Sequence, residues 1–308
     1  MYHGIINVYK EPGYTSHDVV ARLRGILRQK KIGHTGTLDP AAEGVLPVCL
    51  GMGTKLCDML TDKTKTYEAV MLLGQVTDTQ DTTGRILAES GEAVLELEPE
   101  AVEKAVTGFL GEYDQIPPMY SALKVDGKKL CDLARAGKEV ERQARTVQIL
   151  DISVTRMELP RVWMTVTCSK GTYIRTLCHD IGGRLGCGGT MEHLIRTRVD
   201  RFDIKDSLTL DEIEAVRDEN KLEAYILPVE EALWSYPALA VKEEADALLR
   251  NGNPLFKAQL NFEMIQTEEW PEEGQKFRMY NSQGQFAGVY QYGKDKRWWK
   301  PWKMFPAS

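Results

Sequence analysis

The segment from Gly33 to Pro47 is the part of the sequence whose residue types best suit chemistry on a bound substrate. It combines glycines and prolines with one aspartate, Asp39, which Pro40 follows directly. Proline restricts the preceding residue to extended conformations, and glycines allow tight turns and close approach of a ligand to the backbone. An aspartate in such a loop is either a catalytic carboxylate or a residue that stabilises a turn. This segment alone favours the two interpretations equally.

Other short patterns indicate no catalytic chemistry of their own. The stretch Asp81-Thr82-Thr83-Gly84 is similar to the D-T-G of aspartic proteases, but its spacing differs and the sequence holds no second copy. The glycine-rich run 51–55 lacks the spacing of a phosphate-binding P-loop. The 5 histidines form no pair four residues apart, and the 6 cysteines form no C-x-x-C pair. We therefore expect no metal, no cofactor and mostly buried, reduced thiols.

Five motifs in succession place Asp39 in a larger pattern. Residues 33–40 resemble the active-site signature G-H-x-G-x-L-D-P of the TruB family of tRNA pseudouridine synthases. Four further segments resemble motifs of that family in the same order: Lys65-Thr66-Tyr67, Gln115–Ala122, Cys168–Arg175 and Leu194–Arg198. The resemblance extends over residues 4–230, and five motifs in this order are highly specific. The resemblance implies an α+β pseudouridine synthase fold, in which helices flank a mixed, mainly antiparallel sheet.

The resemblance also implies a reaction and its catalytic residues. Such enzymes convert uridine 55 in the T-loop of tRNA to pseudouridine, which breaks the N1–C1′ bond and joins the sugar to C5. This isomerisation needs no redox partner, which agrees with the absence of a cofactor motif. Asp39 would act as a nucleophile or as a base, and the sequence does not decide between these roles. Arg175 would pair with its carboxylate through a planar guanidinium, and Tyr67 would stack on the uracil and help to remove the C5 proton.

Four more residues are expected to bind the substrate. A uracil inside folded tRNA must be flipped out of its stack, and the family resemblance implies that His34 fills the space it leaves. Tyr173 and Leu194 would line the uracil pocket, although ordinary core packing explains their types almost as well. Lys10 would orient the loop or contact a phosphate, and a solvated lysine is an equal alternative.

Charge is segregated along a chain that is acidic overall. Lys plus Arg is 39 and Asp plus Glu is 45, a net charge of −6, which argues against a general nucleic-acid coat protein. Residues 22–31 nevertheless carry 5 basic residues and no acid, residues 124–145 carry 7 against 4, and residues 294–303 carry 5 against 1. A solvated helix face explains any one such block, but three of them favour a surface for a polyanion.

The family resemblance implies separate RNA contacts for two of these blocks. The block 124–145 would be a mobile clamp on the T-arm, with Lys124, Lys128, Lys129 and Arg135 as its RNA-binding residues. The block 294–303, in which three tryptophans are interleaved, would bind the acceptor stem. Its RNA-binding residues would be Lys296, Arg297 and Lys300.

Hydrophobic periodicity and turn residues predict the elements that must position these groups. Strands are expected at Gly4–Tyr9, Val45–Leu50, Tyr67–Leu73, Thr146–Thr155 and Val162–Cys168. Helices are expected at Asp18–Arg28, Pro99–Phe109, Leu130–Ala136, Ile174–Leu185, Leu210–Val216, Lys221–Tyr225 and Glu243–Arg250. A boundary near Ser235 divides a catalytic domain (residues 1–234, with an RNA-clamp insertion at about 115–145) from a small β-rich, PUA-like RNA-binding domain (residues 235–308).

The amino terminus shows no apolar signal region, and no run approaches 18 apolar residues, so we expect a cytoplasmic protein that does not bind a membrane. We expect a monomer that needs no protein partner. Two alternatives remain open. One is a non-catalytic tRNA-binding or tRNA-folding protein. The other is a guide-RNA-dependent synthase within a larger particle, whose relatives usually carry longer terminal extensions; the first strand, predicted at Gly4, favours a stand-alone bacterial-type enzyme.

Overall fold

The structure is a computed structural model that describes residues 1–125, 127–261 and 271–305. These residues divide into two compact units. The larger unit comprises Asn7–Val48 and Cys57–Leu222, and the smaller comprises Met1–Ile6, Cys49–Leu56 and the described part of Glu223–Ser308. Within the described residues, the helices are too short or too polar to cross a membrane.

The helices and strands follow one another in a mixed order along the chain. The helices are α1 (Ser16–Ile26), α2 (Cys57–Thr61), α3 (Pro99–Thr107), α4 (Leu130–Arg135), α5 (Ile174–Arg184), α6 (Leu210–Asp218) and α7 (Asp246–Arg250). The strands are β1 (Gly4–Lys10), β2 (Ile32–His34), β3 (Glu43–Leu50), β4 (Lys65–Leu73), β5 (Gln75–Thr77), β6 (Ile86–Glu89), β7 (Gly111–Gln115), β8 (Lys124–Val125), β9 (Lys128–Lys129), β10 (Arg145–Glu158), β11 (Arg161–Cys168), β12 (Gly189–Val199), β13 (Phe202–Asp203), β14 (Ile226–Leu227), β15 (Ala238–Val241), β16 (Leu255–Phe256), β17 (Leu260–Asn261), β18 (Lys276–Tyr280), β19 (Phe286–Gly293) and β20 (Trp298–Met304).

The sheet of the larger unit is mixed and mainly antiparallel. Its strands lie in the order β1-β3-β12-β4-β11-β10-β7. Strands β3 and β12 are parallel, whereas β4 is antiparallel to both of its neighbours and β10 is antiparallel to β11 and β7. In β4 the residues Tyr67, Ala69, Met71 and Leu73 are buried, and Glu68 between the first two is exposed, the alternation expected of a strand with one face on the core.

Helix α5 packs on β12 and carries one of the predicted catalytic residues near its start. Its buried residues include Ile174, Leu177 and Ile181, which join the core cluster of the larger unit. Gly182 permits this close approach, because a Cβ atom there would lie 2.1 Å from the backbone nitrogen of Gly189. Helix α5 thus packs against β12 and β4, the strands that carry Leu194 and Tyr67.

The smaller unit is β-rich, as its turn-rich sequence predicts. Its strands lie in the order β16-β20-β19-β18-β15-β17, with β15 and β18 parallel and the other pairs antiparallel. A core of aliphatic and aromatic residues fills it, including Leu239, Met279, Tyr290 and Trp299. In addition, Ile5 and Ile6 of β1 pair with Leu227 and Ile226 of β14.

Most of the expected elements are present, but three expected helices differ from the structure. The helix predicted over Asp18–Arg28 begins two residues earlier, at Ser16, because Thr15 and Asp18 form a capping box there. The helix predicted over Lys221–Tyr225 is wrong: the segment forms a short 3₁₀ turn, Leu222–Tyr225. The helix predicted over Glu243–Arg250 is a 3₁₀ turn that continues into the five-residue α7.

Candidate active site

Asp39 lies in the aspartate loop, residues 35–42, which connects β2 to β3. The start of this loop is held by Thr35, whose backbone nitrogen and hydroxyl both donate to the Pro47 carbonyl at 3.2 Å. Ser16 at the start of α1 accepts a hydrogen bond from the Leu38 backbone nitrogen at 2.9 Å. The Pro40 carbonyl accepts from the Gly13 nitrogen at 2.9 Å. The backbone on both sides of Asp39 is therefore fixed by neighbouring segments.

The buried side chains of Lys10 and Arg196 also donate hydrogen bonds to backbone carbonyls in and beside this loop. The ammonium of Lys10, whose residue is 0% exposed, donates to the carbonyls of Pro40 (3.2 Å) and Ala42 (2.5 Å). Burial lowers the pKa of Lys10 to about 8. Arg196 on β12 donates through Nε to the Val45 carbonyl (2.7 Å) and through Nη2 to the Gly36 carbonyl (3.3 Å). This geometry favours the loop-orienting role expected of Lys10 over contact with a phosphate.

Asp39 and Arg175 form a two-point ion pair. Arg175 Nε lies 2.9 Å from Asp39 Oδ2, and Nη2 donates to Oδ1 at 3.3 Å. The arginine side chain is 5% exposed, whereas 38% of the aspartate side chain stays accessible. Burial among protein atoms raises the pKa of Asp39, and the opposing effect of Arg175 is the next largest. The pair thus presents an oriented carboxylate that a substrate can reach.

Asp81 also forms an ion pair with Arg175, a contact that sequence analysis missed. Its Oδ2 lies 3.5 Å from Arg175 Nη1, while its Oδ1 accepts from the Thr83 nitrogen (3.0 Å) and the Thr79 hydroxyl (2.8 Å). The carbonyl of Thr79 also accepts from Arg175 Nη1 at 3.0 Å. In the sequence this turn stood out only for its similarity to an aspartic-protease motif. The threonines around Asp81 were the only local indication that its carboxylate is held in place.

Tyr67 and Leu194 lie on the neighbouring strands β4 and β12. Cross-strand pairing places Tyr67 opposite Arg196 and Leu194 opposite Ala69. Both Tyr67 and Leu194 are buried, at 7% and 6% exposure, and belong to the core cluster that includes Leu38 of the aspartate loop. Burial raises the pKa of Tyr67 to about 12, and Arg196 opposes the rise, so the phenol is neutral at physiological pH. The two side chains are therefore part of the core that also holds Leu38, the residue before Asp39, rather than an exposed platform.

Tyr173, directly before α5, is fixed by a glutamine at the other end of the sheet. Gln115 accepts a hydrogen bond from the Tyr173 backbone nitrogen at 2.7 Å and donates to its carbonyl at 3.0 Å. Gln115 is itself 1% exposed. Because it ends β7, where the clamp insertion begins, this amide links the root of the clamp to a predicted wall of the pocket. Sequence analysis placed Gln115 in a motif without assigning it this role.

His34 ends β2 and lies beside a second histidine. The rings of His34 and His17 are 5.4 Å apart and nearly perpendicular, at 79°. Burial lowers the pKa of His34, with smaller effects of the same sign from His17 and Arg196. Its Nδ1 is buried and has no hydrogen-bond partner among the described residues. A neutral, partly buried ring suits the role of filling space left by a flipped base.

Comparison with known proteins decides the family. The model described as TruB family pseudouridylate synthase (N terminal domain) matches residues 24–174, and the tRNA pseudouridylate synthase B C-terminal domain matches residues 175–234. The tRNA pseudouridine synthase B of Lachnoclostridium phytofermentans is 50% identical over 311 residues, covering 98% of this chain and 99% of that relative. The chain belongs to the TruB family. The predicted family and the predicted enzyme class, a pseudouridine synthase, are confirmed.

Further relatives of this TruB-family protein extend the comparison. The tRNA pseudouridine synthase B of Clostridium tetani is 47% identical over 250 residues, covering 81% of this chain and 84% of the relative. A Cbf5-Nop10-Gar1 complex contains a similar fold, with a TM-score of 0.73, 27% identity and coverage of 99% of this chain and 85% of that one. The archaeal box H/ACA sRNP Nop10-Cbf5 complex gives a TM-score of 0.70 at 26% identity and covers 99% of this chain and 86% of its own. The predicted fold class is confirmed.

The predicted clamp residues of the TruB-family chain lie together on the surface of the larger unit. Lys124 and Lys129 face each other across the short hairpin of β8 and β9, and Lys128 lies next to them. Arg135 ends α4 and is exposed, with an ion pair to Asp132 at 3.8 Å. Like charges directly opposite in a hairpin repel, so this arrangement suits an anionic partner. Among the contacts of the described residues, none joins these four side chains to Asp39.

The predicted basic residues near the carboxyl terminus lie in the smaller unit. Lys296, Arg297 and Lys300 are exposed, and Lys296 Nζ lies 4.9 Å from the ring centre of Trp298. Lys276 Nζ approaches the Trp302 ring to 3.7 Å. This surface combines cations with aromatic faces, the composition that binds single-stranded nucleic acid by charge and stacking. Across the described residues, no three His, Cys, Asp or Glu side chains are grouped as metal ligands.

Proposed function

We propose that this protein converts uridine 55 in the T-loop of tRNA to pseudouridine, with Asp39 as the catalytic residue. The observation that carries this proposal is the two-point ion pair between the accessible carboxylate of Asp39 and the buried guanidinium of Arg175. The pair orients the carboxylate and favours its ionised form against the burial that raises its pKa, and a substrate can still reach the carboxylate. The family to which the chain belongs supports the same reaction.

The reaction then needs only groups that the larger unit supplies. The N1–C1′ bond of the target uridine breaks, the uracil rotates, and C5 forms a bond to C1′. The proton on C5 leaves and N1 ends protonated, so the atoms of substrate and product are the same. Asp39 acts as a nucleophile or as a general base toward the sugar, and both roles require it ionised. Its ionisation depends on Arg175, because burial alone favours the neutral acid.

The remaining predicted site residues shape the pocket in this proposal. Tyr67 and Leu194 provide the floor for the uracil, and Tyr173 provides a wall that Gln115 holds in place. His34 occupies the position of the flipped base in the RNA stack, and its neutral ring suits stacking. Flipping costs a few kcal/mol, which contacts to the flipped base and its neighbours offset.

The finer features of the RNA complex belong to the same proposal. The clamp binds the T-arm through Lys124, Lys128, Lys129 and Arg135, and Lys296, Arg297 and Lys300 bind the acceptor stem. Residues 1–234 form the catalytic domain and residues 235–308 the RNA-binding domain. The protein acts as a cytoplasmic monomer without a cofactor, a metal, a membrane or a protein partner.

The test maps pseudouridine by position in an unmodified tRNA transcript after incubation with wild type or with Asp39→Asn. We expect pseudouridine at position 55 with wild type only. Asp39→Asn should still bind the transcript, because Arg175 retains Asp81 as a partner and the loop keeps its backbone contacts. The exposed Asp211→Asn is the matched control and should behave like wild type.

The alternative function, tRNA binding or folding without modification, makes the opposite prediction. Tight binding by wild type and by Asp39→Asn, with no pseudouridine from either, would overturn the catalytic proposal. Pseudouridine at a different position would overturn the assignment of uridine 55 and leave the chemistry in place.

A further inference from the structure

The segment between α1 and β2 is a surface loop whose backbone accepts several side-chain hydrogen bonds. We call residues 27–31 the basic loop. Three consecutive carbonyls at its end accept side-chain hydrogen bonds: Arg24 Nε donates to Lys30 (3.1 Å), Gln29 Nε2 to Lys31 (3.3 Å), and Arg24 Nη2 to Ile32 (3.2 Å). The Arg24 carbonyl in turn accepts from the Gln29 nitrogen at 3.2 Å. The backbone of the basic loop is therefore held in one conformation.

The basic loop presents three cationic side chains to solvent, whereas its other two residues, Leu27 and Gln29, are buried. Arg28, Lys30 and Lys31 are exposed, and Arg28 adopts a left-handed backbone conformation with φ of 49°. In the described part of the chain, no carboxylate lies within ion-pair distance of these three side chains. Three unpaired cations on a fixed backbone repel one another, and an anionic partner would relieve that repulsion.

The basic loop lies close in the chain to His34, a predicted RNA-binding residue, and this position indicates an RNA phosphate as its anionic partner. Lys31 directly precedes β2, and β2 ends at His34. Three residues of extended chain span at most about 11 Å, so Lys31 lies within that distance of His34 along the backbone. Helix α1 flanks the same stretch, since Arg24 contacts Ile32 and His17 contacts His34. An RNA strand with one nucleotide at His34 brings its neighbouring phosphates to this edge.

We propose that Arg28, Lys30 and Lys31 bind backbone phosphates of the RNA strand that carries the target uridine. The inference rests on the proposed function, in which His34 marks the position of the flipped base. It adds a phosphate-binding surface to the larger unit besides the clamp. Phosphate contacts position a nucleic acid without reading its sequence, so the basic loop sets where the strand lies rather than which base is chosen.

Stabilisation of the α1 carboxyl terminus is the competing explanation for these charges. Cations near the last turn of a helix interact favourably with its dipole. That role is already served by Arg217, which donates to the Ile26 carbonyl, and by Arg24. The outward side chains of the basic loop make no such bond to the helix among the described contacts.

The experiment compares two triple variants of the full chain that lose equal charge. The loop variant removes the three cations of the basic loop through Arg28→Gln, Lys30→Gln and Lys31→Gln. The lysine control removes three exposed lysines elsewhere through Lys104→Gln, Lys205→Gln and Lys242→Gln. Binding of unmodified tRNA transcript is measured over a series of KCl concentrations, together with the single-turnover rate at saturating enzyme. A third variant, Arg28→Lys with Lys30→Arg and Lys31→Arg, retains the charge.

We expect the loop variant to bind at least about tenfold more weakly at low salt, with the slope of log Kd against log salt reduced by about one for each lost phosphate contact. Its rate at saturation should stay within about twofold of wild type, and the charge-retaining variant should bind like wild type. Equal binding by the loop variant and the lysine control overturns the inference, as does a lowered melting temperature with unchanged binding, which would assign the charges to helix α1. If wild type binds but forms no pseudouridine, the proposed function fails while the binding comparison still decides the basic loop.

Discussion

The aspartate loop and the clamp insertion lie in the same unit but are held in opposite ways. Around Asp39 the backbone is bonded by Lys10, Ser16 and Arg196, all of them buried. In the clamp the strands β8 and β9 have two residues each, and the Arg135–Asp132 pair has both side chains more than half exposed.

The difference separates two tasks. Chemistry needs a carboxylate held within a fraction of an ångström of its productive position, because reorganisation during the reaction would raise the barrier. Binding a large, irregular RNA needs cations that adapt to it, and a segment with few buried contacts can move at little cost. Substitutions in the aspartate loop should therefore change the rate or the stability, whereas substitutions in the clamp should change affinity.

The largest effect should come from Arg175→Lys. Lysine keeps the charge but cannot contact both oxygens of Asp39 together with Asp81. We expect the single-turnover rate to fall by about two to three orders of magnitude with tRNA affinity almost unchanged. Arg184→Lys, near the end of the same helix, is the control and should stay within about threefold of wild type. A loss confined to affinity would contradict the proposed role of the ion pair.

A smaller effect is expected from Lys10→Met, measured as the free energy of unfolding in urea. The substitution removes the ammonium donor from the Ala42 carbonyl in a buried place, while the Pro40 carbonyl keeps its bond from the Gly13 nitrogen. The removal of a buried charge offsets part of that loss. We expect a net destabilisation of about 2–3 kcal/mol. Lys128→Met, in the exposed hairpin of the clamp, should change stability by less than about 0.5 kcal/mol and weaken tRNA binding instead. Equal destabilisation by both substitutions would remove the contrast between the two regions.

The smallest effect is a displacement of the pH profile by Asp81→Asn. Asp39 must be ionised to act, and the negative charge of Asp81 contributes to raising the pKa of Asp39. Without that charge the pKa of Asp39 falls, so the acid limb of the single-turnover rate should move to lower pH when each profile is scaled to its own maximum. Asp78→Asn in the same turn should leave the limb in place. A shift to higher pH would show that Asp81 acts mainly by holding Arg175.

Local sequence predicts the parts of the site that contiguous residues build. The segment 33–40 supplies both the signature and the loop, and the strand predicted at Tyr67–Leu73 is part of the observed β4. The predictions for Lys10 stayed open, because a lysine next to a strand end gives no sign of whether distant carbonyls will enclose it. Only the fold brings Pro40 and Ala42 to its ammonium group.

Contacts between distant segments account for what sequence analysis missed. Asp81 reaches Arg175 across 94 positions and Gln115 reaches Tyr173 across 58, so neither partnership has a local pattern. The wrong helix at Lys221–Tyr225 has a different cause. A helix of five residues is not stable on its own and forms only where tertiary packing supports it, as in α2 and α7. The segment Leu222–Tyr225 forms a 3₁₀ turn instead.

The pairing register of β7 and β10 determines where the chain can accept insertions and deletions during evolution. Gln115 and Arg145 are cross-strand partners, so the chain leaves β7 and re-enters the sheet in β10 at the same residue pair. The closure entropy of a loop grows only slowly with its length, by about 0.6 kcal/mol for each doubling. The segment between these two residues can therefore be lengthened or shortened without disturbing the register of the strands. Two contacts with the site must be kept: the hydrogen bonds of Gln115 with Tyr173, and the bond that Arg175 Nη2 donates to the Tyr120 carbonyl at 2.9 Å. We expect insertions and deletions that keep both contacts to change RNA binding more than the reaction.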